Sequence, residues 1–159
     1  MADRSRIRKT IERLSRPEER RAWIGILETH DRVVRALDGA LRRAHGLSYR
    51  DVEALARVAE AETGELSVSS LAGHILLSPS RVSRLVAELE RAGLVERRSD
   101  PSDARSTRVA ITDQGRDRLL EAGPTYMTTL NELLFDHLAR KDVDALNGIW
   151  ERLASSDTA

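Results

Sequence analysis

The chain has 159 residues with no cysteine, 26 basic and 26 acidic side chains, and only 3% aromatic residues. This length suits one domain with a real core, and the lack of cysteine excludes disulfides, thiolate catalysis, cysteine-ligated zinc and thiol redox sensing. No apolar run is long enough to cross a bilayer and the start, MADRSRIRKTIERL, lacks the apolar core of a signal peptide, so a cytoplasmic protein without a membrane partner is expected.

Charged residues, 33% of the chain, alternate with Leu, Val, Ala and Ile at helical spacing. Zero net charge hides a gradient: residues 1–66 carry 14 basic and 12 acidic groups, 67–118 carry 9 and 7, and 119–159 carry 3 and 7. Fields are screened beyond roughly 10 Å at cellular salt, so a locally basic surface binds phosphate despite overall neutrality.

Ile7, Ile11 and Leu14 fall on one face of a short N-terminal arm or helix, 1–16. Pro17 with Glu18 and Glu19 then opens a long helix to Gly46, with Trp23, Ile26, Leu27, His30, Val33, Val34, Leu37, Leu41 and Ala44 on its stripe. Gly46 ends it, and Ser48 with Asp51 caps a helix whose apolar face is Val52, Leu55, Ala56 and Ala59, stopped at Thr63-Gly64.

Ser67 caps the first helix of a pair packed through Leu71 and Ile75, and Leu76-Leu77 forms the turn. Ser78 and Pro79 start the second helix as N-cap and first helical residue, and Gly93 closes it. Val82, Leu85, Val86 and Leu89 form its buried side; at 100° per residue Ser80, Arg84, Ala87 and Arg91 face away, flanked by Arg81 and Ser83. Small polar residues and arginines at the leading end of a helix suit base-edge contact in a major groove, because Arg pairs bidentately with guanine; Arg91, a turn later, suits a phosphate.

Alone, such a stripe reads as a solvated face. The runs at residues 94–98 and 107–111, separated by the turn-rich residues 99–106, add a two-stranded wing, with Arg105 near its tip positioned for a minor groove and Asp103 positioned to orient it. Arg97 and Arg98 of the first wing strand complete the expected DNA-binding set. Thr112 then launches a helix running to about Arg140, bent at Gly123-Pro124, and a last helix spans roughly 142–154. Leu133, Leu134, Phe135, Leu138, Leu146, Ile149, Trp150 and Leu153 are too many large apolar groups for a monomer surface, so they and the N-terminal Ile7, Ile11 and Leu14 are assigned to a dimer interface.

The segments SPSRVSRLVAELERAGLVERR, DPSDAR and VAITDQG, in that order, resemble the MarR family of bacterial winged helix-turn-helix regulators. The resemblance implies a mainly α fold with a β-hairpin wing, in which 17–46 and 117–159 are dimerisation helices and 47–116 the DNA-binding lobe of one domain. It also implies a homodimer on a palindromic operator of double-stranded DNA, with Ser80, Arg81, Ser83 and Arg84 in the major groove and Asp103 and Arg105 as the wing pair. Ser106 stands where the family often has glycine or alanine. Many relatives release DNA on binding a small aromatic anion between the dimerisation helices and the DNA-binding lobe; for an aromatic acid or phenol the residues to test are Trp23, His30, Tyr49 and Arg116.

Two other readings compete with a ligand-responsive repressor. A winged helix used for protein assembly would not require Arg81, Arg84 and Arg105. A metal-responsive regulator would have to gather His30, His45, His74 and His137 from separate segments that show no paired ligand spacing. No phosphate-cradling glycine loop, nucleophile motif or acid/base set is present, so neither an enzyme nor a bound cofactor is expected, and no metal site is assigned.

Overall fold

The computed structural model describes residues 16–99 and 107–156. Ile7, Ile11 and Leu14 of the expected interface and Asp103 and Arg105 of the expected wing tip lie outside the described residues. The described chain runs through α1 (Pro17–His45), α2 (Tyr49–Glu60), β1 (Glu65–Ser67), α3 (Val68–His74), α4 (Pro79–Arg91), β2 (Val95–Ser99), β3 (Thr107–Ile111), α5 (Asp113–Leu133), a 3-10 turn (Phe135–His137) and α6 (Arg140–Ser156). It divides into two compact units within α1, one ending at Arg35 and the other beginning at Ala36. No described helix is long and apolar enough to cross a membrane.

Local chemistry sets most of these boundaries. Gly46 takes φ +69°, a left-handed conformation that ends α1 without a Cβ penalty. Ser48 and Asp51 form a reciprocal capping box: the Asp51 N–H donates to the Ser48 hydroxyl at 3.1 Å and the Ser48 N–H to the Asp51 carboxylate at 2.6 Å. Ser67 caps α3 by accepting from the Ser70 N–H at 3.0 Å, and Thr112 caps α5 by accepting from the Gly115 N–H at 3.0 Å.

The core of the second unit gathers Leu37 and Leu41 of α1, Leu55 and Val58 of α2, Leu71 and Ile75 around α3, Val82 and Val86 of α4, and Val109 of β3, all essentially fully buried. On α2 the buried face is Val52, Ala54, Leu55 and Val58, while Ala56 and Ala59 of the expected face are half-buried.

Two expectations are corrected. The wing is part of a three-stranded antiparallel sheet of order β1-β3-β2, in which Glu65, Leu66 and Ser67 pair with Ala110, Val109 and Arg108. The added strand is three residues long and half-buried throughout, too short to show the alternation that marks a strand. Second, α5 is one helix through Pro124 but stops at Leu133, because Leu134 leaves helical geometry at φ −135°, ψ −67°. Ser78 and Pro79 start α4 as N-cap and first helical residue, as expected, with the Ser78 hydroxyl 3.3 Å from that of Ser80 in place of a side-chain cap bond and its carbonyl accepting from the Arg81 and Val82 amides.

Candidate nucleic-acid interface

Helix α4 is amphipathic, and its burial pattern fixes which side faces outward. Val82, Leu85, Val86 and Leu89 are buried, Ala87 is half-buried, and Ser80, Arg81, Ser83, Arg84 and Arg91 are exposed. At its end Gly93 adopts φ +72°, the Gly93 amide reaches the Glu90 carbonyl at 2.9 Å, and the Leu94 amide reaches back to the Leu89 carbonyl at 2.9 Å. This closes the last turn and sends the chain directly into β2. Among the described residues Arg81, Arg84 and Arg91 form no ion pair, so their guanidinium groups are available to an external anion.

The wing arginines behave differently. The Arg97 guanidinium donates to the Ser83 carbonyl at 2.9 Å and its Nε lies 3.4 Å from Glu90 Oε2, while the Arg97 amide donates to Glu90 Oε1 at 3.2 Å. Arg97 therefore ties the wing strand to α4. Glu65 of β1 binds Arg108 at 2.8 Å and lies 3.7 Å from Arg98, whose other nitrogen pairs with Glu96. These bonds cross all three strands and brace the base of the wing.

The turn before α4 carries a strained residue. Leu76 has φ +51°, the one positive φ outside glycine among the described residues, and its side chain is 87% exposed. Its conformation costs energy that burial does not return.

A second concave feature lies between α2 and α5, a cleft of about 320 Å³ whose walls include Tyr49, Glu53, Arg57 and Glu60 of α2 and Gly123, Tyr126 and Met127 of α5. The two tyrosine rings are nearly parallel, 16° apart in plane and 6.4 Å between centroids, and the Arg50 guanidinium sits 5.4 Å from the Tyr49 ring centre. Burial, reinforced by the charge of Glu53, pushes the Tyr49 hydroxyl up to about 12 and Tyr126 above its ordinary value. Of the four expected ligand residues, Tyr49 lines this cleft; Trp23, His30 and Arg116 are exposed and are not among its lining residues. Tyr126 was not singled out in the sequence, since its approach to Tyr49 depends on the packing of two distant helices.

Of the four histidines, His45 meets the Thr125 hydroxyl at 2.8 Å, His74 the Ser70 carbonyl at 2.7 Å, and His137 the Glu132 carbonyl at 3.0 Å, while His30 is exposed. Among the described residues no three His, Asp or Glu side chains are grouped to hold a metal ion.

Sco3205 of Streptomyces coelicolor, a MarR family transcriptional regulator whose structure is a complex with DNA, superposes at a TM-score of 0.79 with 29% identity, over 87% of this chain and 87% of its own. A model of the MarR family matches residues 45–106, from the end of α1 to the residue before β3. The chain is similar to the MarR family of transcriptional regulators in the matched residues and in its fold. AbsC, a MarR family regulator of the same organism, superposes at 0.80 with 27% identity, over 89% of this chain and 95% of AbsC. The transcriptional repressor MprA of Escherichia coli K12 is 27% identical over 113 residues, 71% of this chain and 64% of MprA. The chain's matches span between 44% and 64% of the lengths of its curated relatives. These proteins are transcriptional regulators, and the mainly helical winged fold of the two solved structures is the one described above.

Proposed function

We propose that this chain is a sequence-specific repressor of the MarR family that binds a palindromic operator as a homodimer. The observation that carries this reading is the row Ser80, Arg81, Ser83 and Arg84, exposed along the leading end of α4, with both arginines free of internal ion pairs among the described residues. A winged helix used only for assembly has no need to leave those charges unpaired. In this assignment Arg81 and Arg84 meet base edges, Arg91 meets a phosphate, and Asp103 and Arg105 serve the minor groove. Arg97 positions the wing against α4, while Arg98 is paired at the wing base and contributes to the local positive field.

The dimer follows from exposed apolar surface. Helix α6 has no buried residue along 140–155, and it presents Ile149 and Trp150 to solvent, Trp150 at 47% exposure. Leu133, Leu134, Leu138 and Leu146 are half-buried, and Trp23, Ile26 and Leu27 of α1 are also exposed. A second copy is the simplest cover for such groups, and it supplies the second α4 that a palindrome requires. The two recognition helices must then lie about 34 Å apart to meet successive major grooves.

Control by a small aromatic or phenolic ligand completes the reading. A ligand in the Tyr49–Tyr126 cleft touches both α2 of the DNA-binding lobe and α5, which leads toward α6. It shifts the spacing of the two lobes only by binding one spacing better than the other. Selection of bound fragments from a random DNA pool tests the core of the proposal. The expected product is a palindrome with half-sites about 10 base pairs apart; recovery of unrelated sequences with no shared motif would refute it.

A further inference from the structure

The cleft between α2 and α5 has a charge pattern opposite to the one an aromatic acid needs. Its ionisable walls are Glu53, Glu60 and Arg57, and Arg57 is already paired with Glu60 at 3.2 Å. Glu53 has a side chain only 18% exposed and meets Arg50 at 2.5 Å. Arg50 is not part of the lining, and it divides its charge among Glu53, the Ile75 carbonyl at 2.9 Å and the Tyr49 ring. An entering carboxylate would thus lose water, face Glu53 and find no unpaired cation. An entering ammonium would meet the shielded Glu53 carboxylate, which already shares its charge with Arg50, beside the two tyrosine rings.

We propose that the Tyr49–Tyr126 cleft binds a flat aromatic ring carrying a protonated amine, and discriminates against the corresponding aromatic carboxylate. The proposal rests on the reading that this cleft is the effector site, and it departs from the aromatic acid expected from sequence. The ring lies against Tyr49, Tyr126 and Met127, and the ammonium is directed to Glu53, whose charge is the best shielded from water among the wall carboxylates. The raised hydroxyl values of both tyrosines agree in sign, since the same burial and the same glutamate that oppose a tyrosinate oppose any other anion there.

The test uses the full-length protein and three probes built on one ring: naphthylmethylamine, naphthylmethanol and naphthoate. Calorimetric titration at neutral pH is expected to give an amine affinity about tenfold above that of the carboxylate, with the alcohol between them. Glu53→Gln should remove most of the amine's advantage while leaving the alcohol unchanged. Tyr126→Ala should abolish amine binding, with thermal melting as the check on its fold; if that variant does not fold, the Glu53→Gln comparison decides alone. Naphthoate binding as tightly as the amine, or no binding of any probe at millimolar concentration, overturns the proposal. Operator release is read separately: amine binding that leaves the DNA complex intact supports the ligand class and refutes the release mechanism.

Discussion

Replacing Gly115 with alanine is expected to strike the joint on which the wing and the last long helices both depend. Gly115 lies in the first turn of α5 and is buried, and a Cβ built there would stand 2.0 Å from the Leu94 carbonyl oxygen, 3.0 Å from its carbon and 2.9 Å from Ile111 Cγ1. Against a contact distance of roughly 3.5 Å the shortfall exceeds about 1 Å. The nearest obstacle is backbone and has no rotamer to escape into. Relief requires the start of α5 to back away from the residues that lead into β2, and two bonds hold it there: Thr112 N–H to the Leu94 carbonyl at 3.1 Å and Thr112 hydroxyl to the Gly93 carbonyl at 2.7 Å. Overpacking costs about 1–3 kcal/mol and each weakened bond about 1 kcal/mol, so a loss of about 3–5 kcal/mol is expected. For a chain of this size that lowers Tm by roughly 6–20 °C. Urea unfolding of Gly115→Ala beside Gly73→Ala checks it, because a Cβ at Gly73 meets nothing within 4 Å. The Gly73 variant should be neutral or slightly stabilised. A Gly115→Ala protein within about 1 kcal/mol of the parent would refute the close-approach argument.

Leu76→Gly should stabilise the fold by about 0.5–1 kcal/mol, since it relieves a left-handed leucine that buries little; a destabilised variant in urea unfolding would show that Leu76 holds contacts its exposure conceals. The two tyrosines of the chain, Tyr49 and Tyr126, should ionise above the ordinary value of about 10 in the native protein, Tyr49 at about 12. Because the unfolded chain releases these protons first, stability should fall as pH rises above about 10, and an ultraviolet titration with an ordinary midpoint for both rings would contradict the cleft geometry. Trp150→Glu should convert the dimer to monomer in sedimentation and weaken operator binding, whereas an unchanged dimer would place the interface elsewhere.

The parts of this molecule governed by near neighbours in sequence were legible in advance. Ser48 with Asp51, Ser67, Thr112, Gly46 and Gly93 each mark a boundary through a bond or dihedral spanning a few residues, and the outward face of α4 follows from Val82, Leu85, Val86 and Leu89 alone. What remained hidden depends on distant partners. Strand β1 exists because Glu65–Ser67 finds β3, more than forty residues on. The Arg97 bonds to Ser83 and Glu90, and the Arg98 and Arg108 bonds around Glu65, separate bracing arginines from those left open on α4, a distinction that composition cannot make. The cleft is a further case. Tyr49 was among the residues to test for a ligand, but its partner Tyr126 and the acidic Glu53 become a site only when α2 meets α5.

In the proposed function Arg81, Arg84 and Arg91, the charges left open along α4, carry the reading of DNA. The most direct measurement is a salt-controlled titration of the selected operator and of single-base variants against the parent, Arg84→Ala, Arg91→Ala and Arg105→Ala. Arg84→Ala should lose about 1–3 kcal/mol of discrimination at one position of each half-site. Arg91→Ala should weaken all sequences alike and reduce the salt slope by about one per chain, and Arg105→Ala should lower operator affinity by about 1–3 kcal/mol. Three variants that bind every sequence as the parent does, with an unchanged salt slope, would contradict the assignment.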